Sequence, residues 1–345
     1  MKMNRRIFAL LLCVAGLHLA AILAGFISPY DFAQQNRTLP YAPPSQFHFR
    51  DAQGAMHWRP SVCLLVERPE AFGTYDENRQ KCFLLRFFVR GAEYKLLGVF
   101  KSSWHLFGVD PQARVFLMGT DGFGRDVFSR LLYGSRISLF SGLAATGLSL
   151  GFAGLLGTMA GYYGGWIDAL IMRCAELFLA LPWLYFLFAL RAFLPLHISP
   201  GQAFLLLIAV IGAVGWARPA RVIRGIVLSA KEHHYVLAAR MFGASPTYLM
   251  RRHILPQAHA VLLTQAVLLI PQYILAEVAL SFLGLGIGEP APSWGNMLAT
   301  LQQYHVLVSY WWMWAPGFGL IVVSLTYLFL SNALQASADC DAWGT

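Results

Sequence analysis

The chain has 345 residues, of which 57% are hydrophobic and only 12% are charged. A soluble domain usually has about 25% charged residues, so this composition excludes an ordinary water-soluble protein of this length. The net charge of +9 does not by itself indicate nucleic-acid binding, because many of the cations lie beside long apolar runs.

Uncharged runs of about 18 or more residues predict membrane-spanning helices. A helix rises about 1.5 Å per residue, and the hydrocarbon core of a bilayer is about 30 Å thick. We therefore expect an all-α membrane protein with six spans. The expected spans lie at about 7–27, 137–161, 168–190, 203–223, 260–283 and 312–333.

The first apolar run raises the alternative of a cleaved signal peptide. It has about twenty residues, more than the usual apolar region, and no clean Ala-x-Ala site follows it, so we interpret it as an uncleaved span. Cations before this span and between the fourth and fifth spans predict that both termini and that loop are cytoplasmic. These cations are Lys2, Arg5, Arg6, Arg218, Arg221, Arg224, Lys231, Arg240, Arg251 and Arg252.

This pattern divides the chain into four parts. They are the tail and first span (1–30), an extracytoplasmic segment (31–130) with a β-rich insertion at about 45–115, a membrane domain (131–335) with a cytoplasmic loop at about 224–258, and a cytoplasmic tail (336–345).

The insertion carries strand signals. The runs "KCFLLRFFV" and "YKLLGVF" flank "RGAE", a four-residue connection that predicts a hairpin turn, and "SVCLLVE" predicts a third strand. Cys63 and Cys82 both lie in this segment. An extracytoplasmic setting is oxidising, so the two are a candidate disulfide. The histidines of the insertion show no metal-ligand spacing, and we expect no metal site.

A polar stretch interrupts the apolar runs at residues 233–258, "HHYVLAARMFGASPTYLMRRHILPQA". The two alanines favour a helix that Gly243 can end in a left-handed conformation. Ser245 suits an N-cap and Pro246 the first helical position. We expect a second short helix from about Pro246 to His253, set apart from the fifth span by Pro256, which presents its outer side chains to a cytoplasmic partner.

This stretch resembles the EAA loop of permease subunits of ABC importers in the dipeptide, oligopeptide and nickel transport family, most closely their C-type subunit. The consensus Glu is replaced by Leu237. The segments at 118–139 and 276–298 resemble the sequences before the second span and after the fifth span of that family. The insertion at 45–115 is longer than the family leads us to expect, and the C-terminal tail is not its usual ending. By resemblance, the residues that couple to an ATPase are Ala238, Ala239, Gly243, Ala244, Ser245, Pro246, Tyr248, Arg251, Ile254, Leu255 and Pro256.

The resemblance implies an ABC type-1 membrane domain in a bacterial inner membrane. It implies a B-type permease, two ATPase subunits and an extracytoplasmic binding protein as partners. The chain has no G-x-x-x-x-G-K-[ST] motif. We therefore expect no ATPase site and no cofactor in this chain, with ATP and Mg²⁺ held by the partner, and a peptide or similar polar solute as cargo.

Four further polar residues are candidates for the translocation path or the permease interface. They are Arg125, Asp126 and Arg136 before and at the start of the second span, and Glu277 in the fifth. A structural role is the alternative for each. A secondary transporter or channel would need an internal repeat with convergent polar groups, and an intramembrane enzyme would need a catalytic constellation within a span. Neither pattern is present in the sequence.

Overall fold

The computed structural model describes residues 5–50, 56–68, 73–96, 99–110, 112–180, 182–193 and 199–343. The chain forms two compact units. The first unit comprises Met1–Leu12, Phe140–Leu280 and Val323–Thr345, and the second comprises Cys13–Leu139 and Ser281–Val322.

Helices dominate the described part of the chain. The α-helices are α1 (Arg5–Ile22), α2 (Ala24–Ile27), α3 (Val127–Tyr163), α4 (Gly165–Ala180), α5 (Trp183–Ala192), α6 (Pro200–Gly215), α7 (Ala217–Ala230), α8 (His234–Met241), α9 (Pro246–Leu249), α10 (His259–Phe282), α11 (Trp294–Ala299), α12 (Tyr304–Ser309) and α13 (Ala315–Trp343). A π turn (Met250–Ile254) and 3₁₀ turns (Leu255–Ala258, Thr300–Gln302, Trp311–Trp314) join some of them.

Among the described residues, four continuous helices are long and apolar enough to cross a membrane. They are Arg5–Ile22, Val127–Tyr163, Pro246–Phe282 and Trp311–Ser337. Helices α6 and α7 make a fifth if the pair, bent by 46°, counts as one span. These helices fit the predicted all-α membrane class, whereas the six predicted spans are not confirmed.

The difference lies in the predicted third span at 168–190. Helix α4 ends at Ala180 and α5 begins only at Trp183. Pro182 precedes α5, and a proline has no backbone N–H to donate to a preceding helical turn. Two shorter helices therefore replace one continuous span.

The described residues of the segment predicted as a β-rich insertion form five strands, and its status as an insertion stays a prediction. They are β1 (His48–Arg50), β2 (Met56–Glu67), β3 (Tyr75–Leu84), β4 (Arg86–Leu96) and β5 (Phe100–Gly108). The first three form one antiparallel sheet in the order β1-β2-β3, and β4 and β5 form a second. The third strand predicted from "SVCLLVE" is confirmed as part of β2.

The hairpin predicted at "RGAE" is wrong. These residues lie inside β4, where a register shift between Arg90 and Tyr94 accommodates the extra residues without reversing the chain. A bulge of this kind keeps the two strands paired on either side of the irregularity. Strand β4 instead continues to Leu96, and β5 begins at Phe100.

A core of small and branched side chains organises the first unit. Helix α7 contributes Ala220, Ile223 and Val227, each at most 1% exposed. At Gly157 of α3, an added Cβ would lie 2.6 Å from the carbonyl oxygen of Ala220. The missing side chain therefore permits close packing of α3 on α7.

Candidate functional site

Helix α8 ends in a Schellman motif at Gly243. The N–H of Ala244 donates to the carbonyl of Ala239 at 3.1 Å, and the N–H of Gly243 donates to that of Arg240 at 3.0 Å. Gly243 has a φ of +82°, a region that other residues enter at a cost of about 1–2 kcal/mol. The glycine thus closes the helix and redirects the chain.

Ser245 starts the next helix as its N-cap. Its Oγ accepts a hydrogen bond from the N–H of Tyr248 at 3.3 Å, and Pro246 takes the first turn, where its missing N–H costs nothing. The Gly-Ala-Ser-Pro sequence therefore ends one helix and begins another within four residues. We call residues 234–258 the docking loop.

The second helix does not end near His253 as predicted. The chain stays helical from Pro246 to Phe282, passing through the π turn and the 3₁₀ turn before α10. In a regular α-helix the ring of Pro256 would clash with the carbonyl four residues earlier. The π turn, in which the N–H of Leu255 donates to the carbonyl of Met250, changes the helical geometry just before the proline.

Three side chains anchor the docking loop in the first unit. Val236, Leu249 and Ile254 are 3%, 1% and 0% exposed, and they share one hydrophobic cluster with residues of α7. Burying a Val, Leu or Ile side chain contributes about 1.5–3 kcal/mol. The loop is therefore fixed to the membrane helices on one side.

The outer side of the docking loop presents large apolar side chains. Met241 is 89% exposed, Phe242 92% and Tyr248 51%. Tyr248 was a predicted coupling residue, but Met241 and Phe242 were not. The signal that could have identified them is their place in the last turn before Gly243, on the side away from Val236.

The remaining predicted coupling residues lie on both sides of the loop. Ala239 and Ala244 are partly buried against the anchoring cluster, whereas Ala238 and Arg251 are exposed. The structure thus brings the predicted set together in one continuous segment and separates it into an inner and an outer face.

Polar contacts also tie α7 to its neighbours. The guanidinium of Arg224 donates to the carboxylate of Asp168 on α4, and Nζ of Lys231 donates to the carbonyl of Gly161 at 3.3 Å. Helix α7 therefore contacts the docking loop, α3 and α4.

A cleft of about 510 Å³ opens in the first unit beside the bend between α6 and α7. Its lining is mostly apolar, with Arg218, Gln272 and Tyr273 as polar members. The Tyr273 hydroxyl is held by Ser149 at 2.9 Å, and it lies so close to Gly215 that no Cβ would fit there.

A second polar cluster lies in the second unit, and we call it the ion cluster: Asp121, Arg125, Arg130 and Glu289. Nε of Arg125 lies 2.7 Å from Asp121, and its Nη1 lies 2.6 Å from Glu289. Nη2 of Arg130 lies 2.9 Å from Glu289. Both arginine side chains are nearly inaccessible, so these contacts join the segment before α3 to the segment after α10.

The other predicted path residues also have partners within the chain. Asp126 caps α3, since its Oδ2 accepts from the Ser129 N–H at 2.8 Å and from its hydroxyl at 2.6 Å. Burial raises the pKa of Asp126 to about 7, although the bonds to Ser129 oppose the shift. Arg136 donates to the carbonyls of Ala21 and Ile22 at the end of α1, at 2.7 and 2.8 Å.

Cys63 of β2 and Cys82 of β3 face each other across the strand pair and are joined as a disulfide. Ligand atoms of His48, Cys63 and Glu77 also lie within 4.8 Å of one another. Sequence spacing could not reveal this group, because its members come from three strands. With Cys63 in the disulfide, only His48 and Glu77 remain, fewer than a structural zinc site requires.

Helices of membrane length, together with a loop that is anchored inward and apolar outward, define the class of this protein as a multi-spanning membrane protein with an exposed apolar loop. The chain belongs to the family of binding-protein-dependent transport system inner membrane components, which matches residues 153–339. That match contains the whole docking loop.

Characterised relatives agree with this assignment. The chain is 37% identical to the dipeptide transport system permease protein DppC of Bacillus subtilis over 230 residues, which are 66% of this chain and 70% of the relative. It is 38% identical over 243 residues to the oligopeptide transport system permease protein OppC of Bacillus subtilis, covering 69% and 76%. For OppC of Haemophilus influenzae the identity is 33% over 239 residues, covering 69% and 75%.

Proposed function

We propose that this permease carries peptides or similar small polar solutes inward across a bacterial inner membrane, driven by ATP that a separate subunit hydrolyses. The observation that carries the proposal is the docking loop, whose outer face is apolar and whose inner face is packed on α7. The peptide specificity of the relatives supports the choice of cargo.

The proposed partners are a second, B-type permease, two ATPase subunits and an extracytoplasmic binding protein. The docking loop would meet one ATPase, so it and both termini would be cytoplasmic, and the β-rich insertion would be extracytoplasmic. Six crossings satisfy this orientation if α4 with α5, and α6 with α7, each form one broken span.

The proposed mechanism is mechanical. Closure of the ATPase pair would displace the docking loop, and its buried anchors would carry α7 and the helices packed on it to switch access. In this proposal Arg125, Asp126 and Arg136 hold the segment around the start of α3, and Glu277, which is fully buried in α10, belongs to a helix interface.

The test removes the outer face of the loop without touching its anchors. Met241→Ser and Phe242→Ser should each weaken ATPase binding about thirtyfold, since an interface hot spot contributes about 2 kcal/mol. The measurement is co-purification of the ATPase from gently solubilised membranes, together with ATP-driven dipeptide uptake in proteoliposomes.

Met56→Ser is the matched control, because Met56 is 76% exposed on β2, far along the chain from the loop. Full ATPase recovery and full uptake in the Met241 and Phe242 variants would remove the docking assignment. Uptake by the purified chain alone, driven by an ion gradient, would favour a secondary transporter instead.

A further inference from the structure

The β4–β5 hairpin is fixed to the end of the first membrane helix. The ring of Tyr94 packs on Gly25 of α2 so closely that an added Cβ there would overlap it. The rings of Phe88 and Phe26 lie 6.2 Å apart, and Nδ1 of His105 lies 2.6 Å from the Ser28 carbonyl oxygen. The hairpin therefore sits at the level where the chain leaves α1 and α2.

The hairpin is unusually apolar for an exposed pair of strands. Phe87, Phe88, Val99 and Phe100 are between 57% and 73% exposed, and Trp104 is 47% exposed. Two strands alone are only marginally stable in water. Phe88 also adopts a φ of +54°, a strained conformation for an aromatic residue, while it keeps its contact with Phe26.

Cations surround these apolar side chains. Arg86, Arg90, Lys95 and Lys101 are all exposed, and Glu93 is the single acidic residue between positions 86 and 108. The guanidinium of Arg90 lies 5.2 Å from the centre of the Trp104 ring. The hairpin thus combines aromatic rings, aliphatic groups and positive charge in one short element.

We propose that the β4–β5 hairpin is a membrane-interface anchor, with its aromatic side chains at the boundary between headgroups and acyl chains and its cations on the phosphates of anionic lipids. Trp and other amphipathic aromatics concentrate at this depth of the bilayer. Interfacial segments pair an apolar face with Lys and Arg for the same reason. The position beside α2 places the hairpin at this boundary, because α2 directly follows a helix of membrane length.

Such an anchor would fix the outer end of α1 relative to the bilayer. The anchor would depend only on the hairpin and α2, whether or not the transported solute is a peptide.

The experiment places the photoreactive residue p-benzoylphenylalanine at Phe88, Phe100 or Trp104 of the complete chain. Trp58 of β2 is the matched control, because it is fully exposed on the other sheet. Each variant is reconstituted in nanodiscs of equal parts phosphatidylcholine and phosphatidylglycerol, irradiated and weighed intact by mass spectrometry. We expect phospholipid adducts several times more often at the three hairpin positions than at Trp58.

The charge requirement is tested on the same adducts. Adducts with phosphatidylglycerol, which is anionic, should be about fivefold more abundant than adducts with zwitterionic phosphatidylcholine. This is the factor that one cation near a membrane surface contributes. Replacing Arg86, Arg90, Lys95 and Lys101 by Gln should bring this ratio close to one. The same change at Arg50, Arg59, Arg79 and Lys81, which are exposed cations of the three-stranded sheet, should leave it unchanged.

Lipid adducts that are no more frequent at the hairpin than at Trp58 would overturn the proposal. So would an adduct ratio that is the same before and after the four Gln substitutions. Irradiation of the same variants in native membranes tests whether a protein contacts the hairpin instead. Adducts to another protein in place of lipid would overturn the proposal and make the hairpin a protein-docking surface.

Discussion

The docking loop and the ion cluster are both polar interruptions between apolar helices, and they are built in opposite ways. In the docking loop the apolar side chains of Met241 and Phe242 face outward. In the ion cluster the charged side chains of Arg125 and Arg130 face inward, where they are 5% and 2% exposed. The docking loop therefore leaves its apolar side chains free to contact a partner. In the ion cluster the charged side chains already pair with each other within the second unit.

This difference follows from the free energy of burial. The free energy falls when a partner covers an exposed phenyl ring, so an outward apolar face favours association. A buried cation is tolerated only if carboxylates lie within reach, so an inward charged group favours one fixed arrangement. We therefore expect substitutions in the docking loop to affect transport, and substitutions in the ion cluster to affect stability.

The largest effect is expected for Gly243→Pro. Proline cannot adopt a φ of +82° and has no N–H to donate to Arg240, so the turn between α8 and α9 cannot form. ATP-driven uptake should fall at least tenfold, while the amount of inserted chain in the membrane stays near normal. The two measurements are uptake in vesicles and quantitative immunoblotting of the membrane fraction.

Gly243→Asn is the control for this prediction. Asparagine tolerates the left-handed conformation and keeps the N–H, so transport should be largely retained. Normal uptake by the proline variant would mean that the turn does not matter for coupling.

The next effect is a loss of stability in Arg130→Met. Arg130 is buried, but its partner Glu289 is 49% exposed and Arg125 also contacts that carboxylate. The cost should therefore lie below the about 3–5 kcal/mol of a fully buried pair and above the about 0–1 kcal/mol of an exposed one. Thermal unfolding in detergent should therefore shift to a clearly lower temperature.

Arg68→Met provides the comparison, since Arg68 pairs with Asp76 on the surface and both side chains are more than half exposed. Exposed pairs contribute about 0–1 kcal/mol, so this variant should melt almost as the parent does. Equal shifts in the two variants would contradict the view that the ion cluster locks the second unit.

The last change, Asp126→Asn, is expected to appear only as a dependence on pH. The native pKa of Asp126 is about 7, above its ordinary value of 3.8, so the folded state holds a proton that the unfolded state has released. Stability should therefore fall as the pH rises from about 4 to about 7.

Asparagine can still cap α3 but does not titrate, so the variant should lose this part of the decline. The check is the difference between the two melting profiles across that pH range. Parallel profiles would show that Asp126 titrates normally in the folded protein.

The local geometry of the docking loop is readable from its residues. Gly243 ends a helix, Ser245 caps the next and Pro246 starts it, because each effect depends on one residue and its immediate neighbours. The same local rules fail at "RGAE", where pairing with β5 holds four turn-like residues inside a strand. They also fail at Pro256, where a π turn lets the helix continue.

The sequence alone predicts the lengths of the apolar runs, the order of the motifs and the family. Each of these depends only on composition and on the spacing of residues that are close in the chain. The partners of Arg125 and Arg130 cannot be predicted in this way, because Glu289 lies about 160 residues further along the chain. The sequence alone also does not reveal three further features. These are the outward position of Met241 and Phe242, the His48–Glu77 contact and the placement of the β4–β5 hairpin on α2. Each depends on which distant segments pack together, and that is settled by burial across the whole fold.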